Sequence, residues 1–425
     1  PMAGWGAAAR SCDAMLIRIE KNDPNIKDWI ILPTKIFGGS ETERLANALF
    51  ENRNTHLRTL SASGHAIPPS SLRELGKSLI NNTTLQSLAI GDCNMGNEGV
   101  ISLLETEGSC QHLKTLDLEY KNITLDGILQ IGKNFSQNAE WQDLIVSRNP
   151  IGNDGLIAFC NAAMLKPPHH LRSLFLSNCQ IGKSGLAKLC EFLPSTSCTI
   201  LSLSSNPLGP SSGQHLKELV ERSSLETLLL SSCQLSCLAI SDLFQSATCP
   251  GLKTLDLSKN DIGGKGGLAI AEILEGWTSL RDLNLSNNEI GCIGMSTIAK
   301  HAKHLISLDA SHTMCGASGA IALIQASGIQ RLRLFDNRLS SEGFDGIAAN
   351  LHLLELQELD LGGNHANTDD MMILLKAIRL KSPLNLKVLE LGANEMNMDV
   401  EEEIQQTLKE HPGLSIARDK PRSSS

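Results

Sequence analysis

Paired histidines, glycine clusters and carboxylates beside leucines are the residues of this chain whose types and spacing could carry chemistry. His301 and His304 stand three apart near a helix end, and His169-His170 sits in a proline-rich turn. A metal centre needs convergent His, Cys or Asp ligands. Neither pair has a companion cluster, so both read as surface or partly buried histidines and no metal is expected. Gly263-Gly264-Lys265-Gly266-Gly267 has the richness of a phosphate cradle, but the chain contains no G-x-x-x-x-G-K-[ST] loop and no G-x-S-x-G elbow. No Ser/His/Asp set converges by spacing. Carboxylates on an open surface lack the burial that tunes a general acid. No catalytic residue, no cofactor and no enzymatic activity are expected.

Cysteine chemistry is equally sparse. The twelve cysteines form no CxxC pair. Cys160 and Cys190 fall on apolar helix phases, while Cys198 and Cys315 take leucine and isoleucine positions of the pattern below, so all four read as small core hydrophobes. Reduced thiols place the chain in the cytoplasm, with the nucleus as the second choice. The sequons at Asn81, Asn82, Asn122 and Asn134 are then chance matches.

What positions these residues is an internal repeat. LKTLDLSKNDIG starts at Leu252, LRDLNLSNNEIG at Leu280, LRSLFLSNCQIG at Leu171, LETLLLSSCQLS at Leu225 and LKVLELGANEMN at Leu386. Weaker copies start at Ile26, Leu57, Leu85, Leu113, Trp141, Cys198, Leu305, Ile329 and Leu356. That makes fourteen units, spaced by 24 to 31 residues, mostly 27 or 28. Within a unit, L-x-L alternates with period two and predicts a short strand with leucines inward. The Asn or Cys that follows ends the strand, and an Asn amide can both donate to and accept from exposed turn backbone. The column reads Cys93, Lys121, Asn149, Cys179, Asn206, Cys233, Asn260, Asn288, Thr313, Asn337, Asn364 and Asn394, with Lys121 as the misfit. I-G-x-x-G, as in Ile151–Gly155, then bends the chain into a helix-period run. No unit can bury its apolar face alone, so the units must stack. Strands about 4.8 Å apart and helices about 8–10 Å apart curl such a stack with the strands inside.

This pattern resembles the leucine-rich repeat family, and most closely its ribonuclease-inhibitor-like subclass. The resemblance implies an α/β leucine-rich repeat solenoid, a right-handed horseshoe with parallel strands on the concave face and helices on the convex face. It covers residues 26–397. Residues 1–25 are expected to be an arm and capping helix (Ser11–Lys21), 398–416 a C-terminal cap with a last edge strand near Leu414–Ile416, and 417–425 a disordered tail. A length of 425 residues would ordinarily suggest two or three domains. The repeat leaves nothing for a second one.

Composition narrows the partners. The net charge is −9, aromatic residues are 3% and hydrophobic residues 41%. An acidic, ring-poor chain is unsuited to phosphate backbones or base stacking, and no stretch reaches the length of a membrane span. The expected partner is therefore a protein, basic by charge or, as resemblance to GTPase-activating members of the family implies, a small GTPase, with no nucleic acid, no membrane and a monomeric state.

The outward residues of the strands carry the candidate site. Ten carboxylates fall there: Asp28, Asp117, Glu119, Asp143, Asp256, Asp282, Asp309, Glu358, Asp360 and Glu390. A basic segment could dock on them, although L-D-L is also an ordinary solvated strand pattern. Arg331, Arg333 and Phe335 interrupt the acidic run with a hot-spot composition, or with an internal salt network to Asp309 and Asp360. Ile145, Phe175 and Leu229 form a secondary apolar patch, broken by Ser202. Tyr120, the only tyrosine, falls just after a strand, as a partly buried edge residue or a partner anchor. Trp29, Trp141 and Trp277 read as core, and Trp5 as exposed.

The function expected is a non-enzymatic protein–protein interaction scaffold that docks its partner on the acidic face. The alternatives are a regulator of an enzyme, implied by similarity to ribonuclease inhibitors or to Ran GTPase-activating proteins, and a ligand-sensing fragment of an innate-immunity receptor. The functional arginine of the GTPase activators has no assignable counterpart here, though Arg148 sits on a suitable rim loop.

Overall fold

A computed structural model describes residues 10–137, 140–166, 170–244, 251–351 and 355–418. Trp5, His169 and the tail beyond residue 418 lie outside the described residues. The chain gathers into two compact units, Pro1–Pro207 with Arg222–Leu225, and Leu208–Glu221 with Glu226–Ser425.

The first unit contains β1 (Asp28–Ile30), β2 (Thr59–Ser63), β3 (Ser87–Gly91), β4 (Thr115–Asp117), β5 (Asp143–Ile145), β6 (Ser173–Phe175) and β7 (Ile200–Ser202). They pair in chain order, all parallel, with the central Trp29, Leu60, Leu88, Leu116, Leu144, Leu174 and Leu201 in one register row. The second unit contains β8 (Thr227–Leu229), β9 (Thr254–Asp256), β10 (Asp282–Asn284), β11 (Ser307–Asp309), β12 (Arg331–Arg333), β13 (Glu358–Asp360), β14 (Val388–Glu390) and β15 (Ser415–Ala417). It follows the same rule, with Leu228 through Leu389 in register and Ile416 closing the row. A helix follows each strand from β1 to β14 and packs on its neighbours within the unit. The strand–turn–helix repeat is thus the one that the period predicts.

Burial matches the alternation. The row leucines are buried, as are Trp29, Trp141 and Trp277. Trp141 Nε1 donates to Cys110 O at 2.9 Å, so its polar edge is satisfied inside the core. Cys160, Cys190, Cys198 and Cys315 are buried as expected. A helix spans Asp13–Glu20, a second spans Met398–Glu410, and β15 adds the last strand.

The two glycines of I-G-x-x-G have different jobs. Gly152 has φ +66, the left-handed backbone that turns the chain into its helix. Gly155 lies inside that helix. A Cβ there would fall 2.9 Å from Ile151 Cγ2 and 3.1 Å from Ile128 Cγ2, so the absence of a side chain lets neighbouring repeats close. The second glycine serves packing, not the bend the sequence suggests for both.

Candidate recognition surfaces

Where a strand is followed by an Asn of the ladder column, it ends in a recurrent hydrogen-bond device. Asn206 Oδ1 accepts from the backbone N–H of Cys179 (2.9 Å) and of Ile181 (3.0 Å), while its Nδ2 donates to Leu176 O and Leu203 O. Asn149 and Asn394 repeat the pattern. One expected member departs. Cys93 is exposed, out of the slot. Lys121 is buried instead, and its Nζ donates to Ser63 Oγ at 2.8 Å. Burial pulls the Lys121 ammonium below its ordinary pKa, and Asp117, Asp92 and Glu119 oppose that shift. The misfit is a strut whose terminal nitrogen lies two bonds farther out than that of an Asn.

From Lys121 onward, the residue before each ladder position has left-handed backbone. In the first unit these are Tyr120, Arg148, Asn178 and Ser205. In the second they are Ser232, Lys259, Asn287, His312, Asp336, Gly363 and Ala393. Their N–H groups bind the next turn, as in Tyr120 N to Ser147 O (3.0 Å) and Arg148 N to Ser177 O (2.7 Å). Their side chains form a rim beside the strand face.

In the second unit the outward residues form two register rows. One runs Asp282, Ser307, Arg331, Glu358 and Val388, and the other Leu229, Asp256, Asn284, Asp309, Arg333, Asp360 and Glu390. All nine predicted partner-binding residues except Phe335 lie in these rows. The aspartates have a structural role that sequence reasoning missed. Asp256, Asp309 and Asp360 each accept, through Oδ1, the N–H two residues on, at 2.9 to 3.0 Å. Asn284 does the same with its amide. This closes an Asx turn at the strand end. The turn needs an oxygen, not a charge, so it explains the column's Asp and Asn without explaining Glu358 or Glu390.

The internal salt network exists and includes the expected Asp309, while Asp282 takes the place of Asp360. Arg331 Nη2 meets Asp282 Oδ1 at 2.9 Å. Arg333 Nη1 lies 3.8 Å from Asp309 Oδ2, and its side chain is 62% exposed. Neither arginine has an ion pair with Asp360. Among the described residues, Asp256, Glu358, Asp360 and Glu390 enter no ion pair. Around Arg331 and Arg333 the face dips into a cup of about 110 Å³ lined by Asp309, Glu358, Asp360 and Glu390.

Asp360 departs from a solvated carboxylate, being only 6% exposed. Burial raises its pKa to about 6, with Glu390 and Asp309 adding to the shift and the Gly362 N–H and Arg333 opposing it. Phe335 also departs from the exposed aromatic of the expectation. It is half-buried, and Cβ atoms at Gly362 or Gly363 would fall 2.8 to 2.9 Å from its ring. His312 packs edge-on against it at 5.3 Å and pairs through Nδ1 with Asp336 Oδ2 at 3.0 Å.

In the first unit, Ile145 and Phe175 are directly paired in register and half-buried. Ser202, next to Phe175 in register, is buried. Leu229 lies in the second unit, in register with Asp256. Ile145 and Phe175 line a depression of about 420 Å³ with Glu119, Arg148, Asn178 and Ser205 among its walls. Tyr120 is 54% exposed, so it is not the partly buried edge residue that its position suggests. The Arg148 guanidinium lies 4.9 Å from its ring centre. The signal for this pair was a Tyr and an Arg in a rim column otherwise mostly small or flexible.

Among the described residues no group of three or more His, Cys, Asp or Glu could hold a metal ion. His301 binds Glu275 at 2.8 Å, and His304 is exposed. No described helix is long and apolar enough to cross a membrane.

Comparison with known proteins supports the repeat. The family described as Leucine Rich repeat matches residues 81–104, 142–160, 168–190, 248–271 and 278–299. The chain is 28% identical over 374 residues to mouse (Mus musculus) ribonuclease inhibitor, covering 84% of this chain and 80% of that protein. It is also 28% identical over 309 residues to mouse NACHT, LRR and PYD domains-containing protein 12, a match spanning 63% of this chain and 28% of that protein. A chain of the TLR13–ssRNA13 complex shares the fold with a TM-score of 0.50 at 19% identity, covering 87% of this chain and 57% of that chain.

Proposed function

Taking the chain as what its repeats make it, a leucine-rich-repeat protein similar to ribonuclease inhibitors, we propose that it is a non-enzymatic scaffold whose second unit docks a basic protein segment on its strand face. The observation that carries this reading is the set of Glu358, Asp360 and Glu390 around one cup, none of them in an ion pair among the described residues. A Lys or Arg side chain entering the cup gains charge-assisted hydrogen bonds, and the half-buried setting screens them less than bulk water would. Arg331 and Arg333 border the same cup, so they select register: a partner must offer an acceptor to them beside its own cation. Preformed strands lose little entropy on binding.

A second reading is regulation of an enzyme by capture. The relative named ribonuclease inhibitor is similar along most of this chain, which favours it. It differs from simple scaffolding only in what the captured protein does. The acidic face favours a protein over RNA as partner. Free thiols throughout the described residues support a reducing compartment, cytoplasm or nucleus, and a monomer is the simplest binding unit.

The test is affinity capture from a native lysate at low and high salt, with the intact protein and with Glu358→Lys/Glu390→Lys. A basic protein retained at low salt and lost on charge reversal is expected. Capture indifferent to both salt and charge reversal overturns the reading. A small GTPase held only in its GTP form would instead favour enzyme regulation.

A further inference from the structure

The first unit holds a surface that acidic-face docking leaves unused. Ile145 and Phe175, side by side on β5 and β6, form an apolar floor in the depression of about 420 Å³. Arg148 stands at its edge, with the Tyr120 ring stacked on its guanidinium at 4.9 Å. Both residues adopt left-handed backbone, with φ +56 for Tyr120 and +61 for Arg148. Bulky L residues disfavour that region, whereas the Asn178 that follows in the same column tolerates it. That backbone is common to the column, so an exposed ring is not what the bend itself requires.

The arginine is also available. Among the described residues Arg148 enters no ion pair, and it is exposed. Its guanidinium can meet a bidentate acceptor. An apolar floor beside an unpaired guanidinium fits an apolar side chain next to a carboxylate. Glu119 lines the same depression. A run of acidic residues would meet it, so the fit is to a single acid.

We propose that this surface is a second docking site, which takes a peptide segment of a partner protein with an apolar side chain adjacent to one acidic residue. The apolar side chain covers Ile145 and Phe175. The carboxylate bonds Arg148, whose guanidinium lies over the Tyr120 ring. Phe175, Tyr120 and Arg148 are of the residue kinds that dominate interface energetics.

The test selects a library of short random peptides displayed on phage against the intact, immobilised chain, then measures the binding of synthetic copies of the enriched peptides. Enrichment of an apolar–acidic pair is expected. Phe175→Ser, which copies the neighbouring Ser202, should weaken those peptides by about tenfold or more, a difference readily resolved in Kd. Arg148→Glu should turn the selected acid into Lys or Arg. Tyr120→Asn should raise the thermal midpoint, because Asn accepts left-handed backbone, and yet weaken binding. A purely structural tyrosine would not separate the two. Glu358→Lys/Glu390→Lys should leave these peptides bound, which separates this site from the acidic cup. No enrichment, or enriched peptides indifferent to Arg148→Glu, or peptides lost equally on Glu358→Lys/Glu390→Lys, would overturn the proposal.

Discussion

Arg331 and Asp282 form their 2.9 Å ion pair across an intervening strand, since Ser307 of β11 stands between them in register. The serine is short enough to let the guanidinium pass over it. Both side chains are nearly half exposed, at 44% and 42%. Exposed pairs contribute about 1 kcal/mol or less. Arg331→Ala should therefore leave the thermal midpoint almost unchanged. It also unpairs Asp282, so binding of a lysine-rich peptide, followed by titration calorimetry at two salt concentrations, should tighten and become more salt-sensitive. A drop in stability of several kcal/mol would mark the pair as structural instead.

Asp360 makes stability depend on pH in a direction opposite to an ordinary salt-bridged aspartate. Its folded pKa, about 6, lies above the unfolded value of 3.8. The folded state binds the proton more tightly, so this contribution is fully present below about pH 4 and is lost as pH rises through 6. Two pKa units correspond to about 3 kcal/mol at most. Asp360→Asn keeps the acceptor for Gly362 N–H and removes the titration. In urea melts between pH 4 and pH 7, the variant should gain on the parent as pH rises. Parallel curves would refute the assignment.

Asn206 supports backbone groups of its own and the preceding repeat at once. Asn206→Ala orphans two N–H donors and removes the amide's bonds to Leu176 O and Leu203 O in a buried turn. At about 1–3 kcal/mol for each unsatisfied group, partly recovered by relaxation, a loss of about 3 kcal/mol or more is expected by chemical denaturation. Asn178→Ala, at an exposed rim position nearby, should cost about 1 kcal/mol from backbone strain alone. Equal losses would show that the ladder bonds carry no special weight.

Thiol reactivity should divide the cysteines by slot. Burial pushes the thiols of Cys110, Cys160, Cys179, Cys198 and Cys315 up to about 12. Cys93 and Cys292 are exposed. Brief iodoacetamide treatment of the native protein, read by peptide mass spectrometry, should modify Cys93 and Cys292 and spare those five until denaturant is added. Protection of Cys93 equal to that of Cys179 would return it to the ladder.

The strand positions were legible because a 27–28-residue period and the L-x-L alternation address the same core from two scales. The ladder amides were legible because a short Asn side chain carries two donors and an acceptor without a charge. Other features have no one-dimensional signature. Cys93 and Asn206 occupy the same position in the pattern, yet the first is exposed and the second buried. Asp360 and Asp256 read alike as strand aspartates, yet one is buried and the other half-exposed, because burial depends on the neighbours in register. The Asx turns hide inside L-D-L, since the same letter serves a backbone hydrogen bond and a surface charge. Arg331 was expected to meet Asp309 or Asp360, and a long side chain instead chose Asp282 by stepping across a strand.

The left-handed column from Tyr120 to Ser205, and its counterpart from Ser232 to Ala393, has an evolutionary consequence. The backbone there is held by N–H bonds to the next turn, so the shape of the bend does not depend on which side chain it bears. Exchanging that one letter per repeat rewrites the outer lettering while the framework stays put. Such a chain can drift to a new ligand one conservative step at a time, without passing through unfolded intermediates in its history.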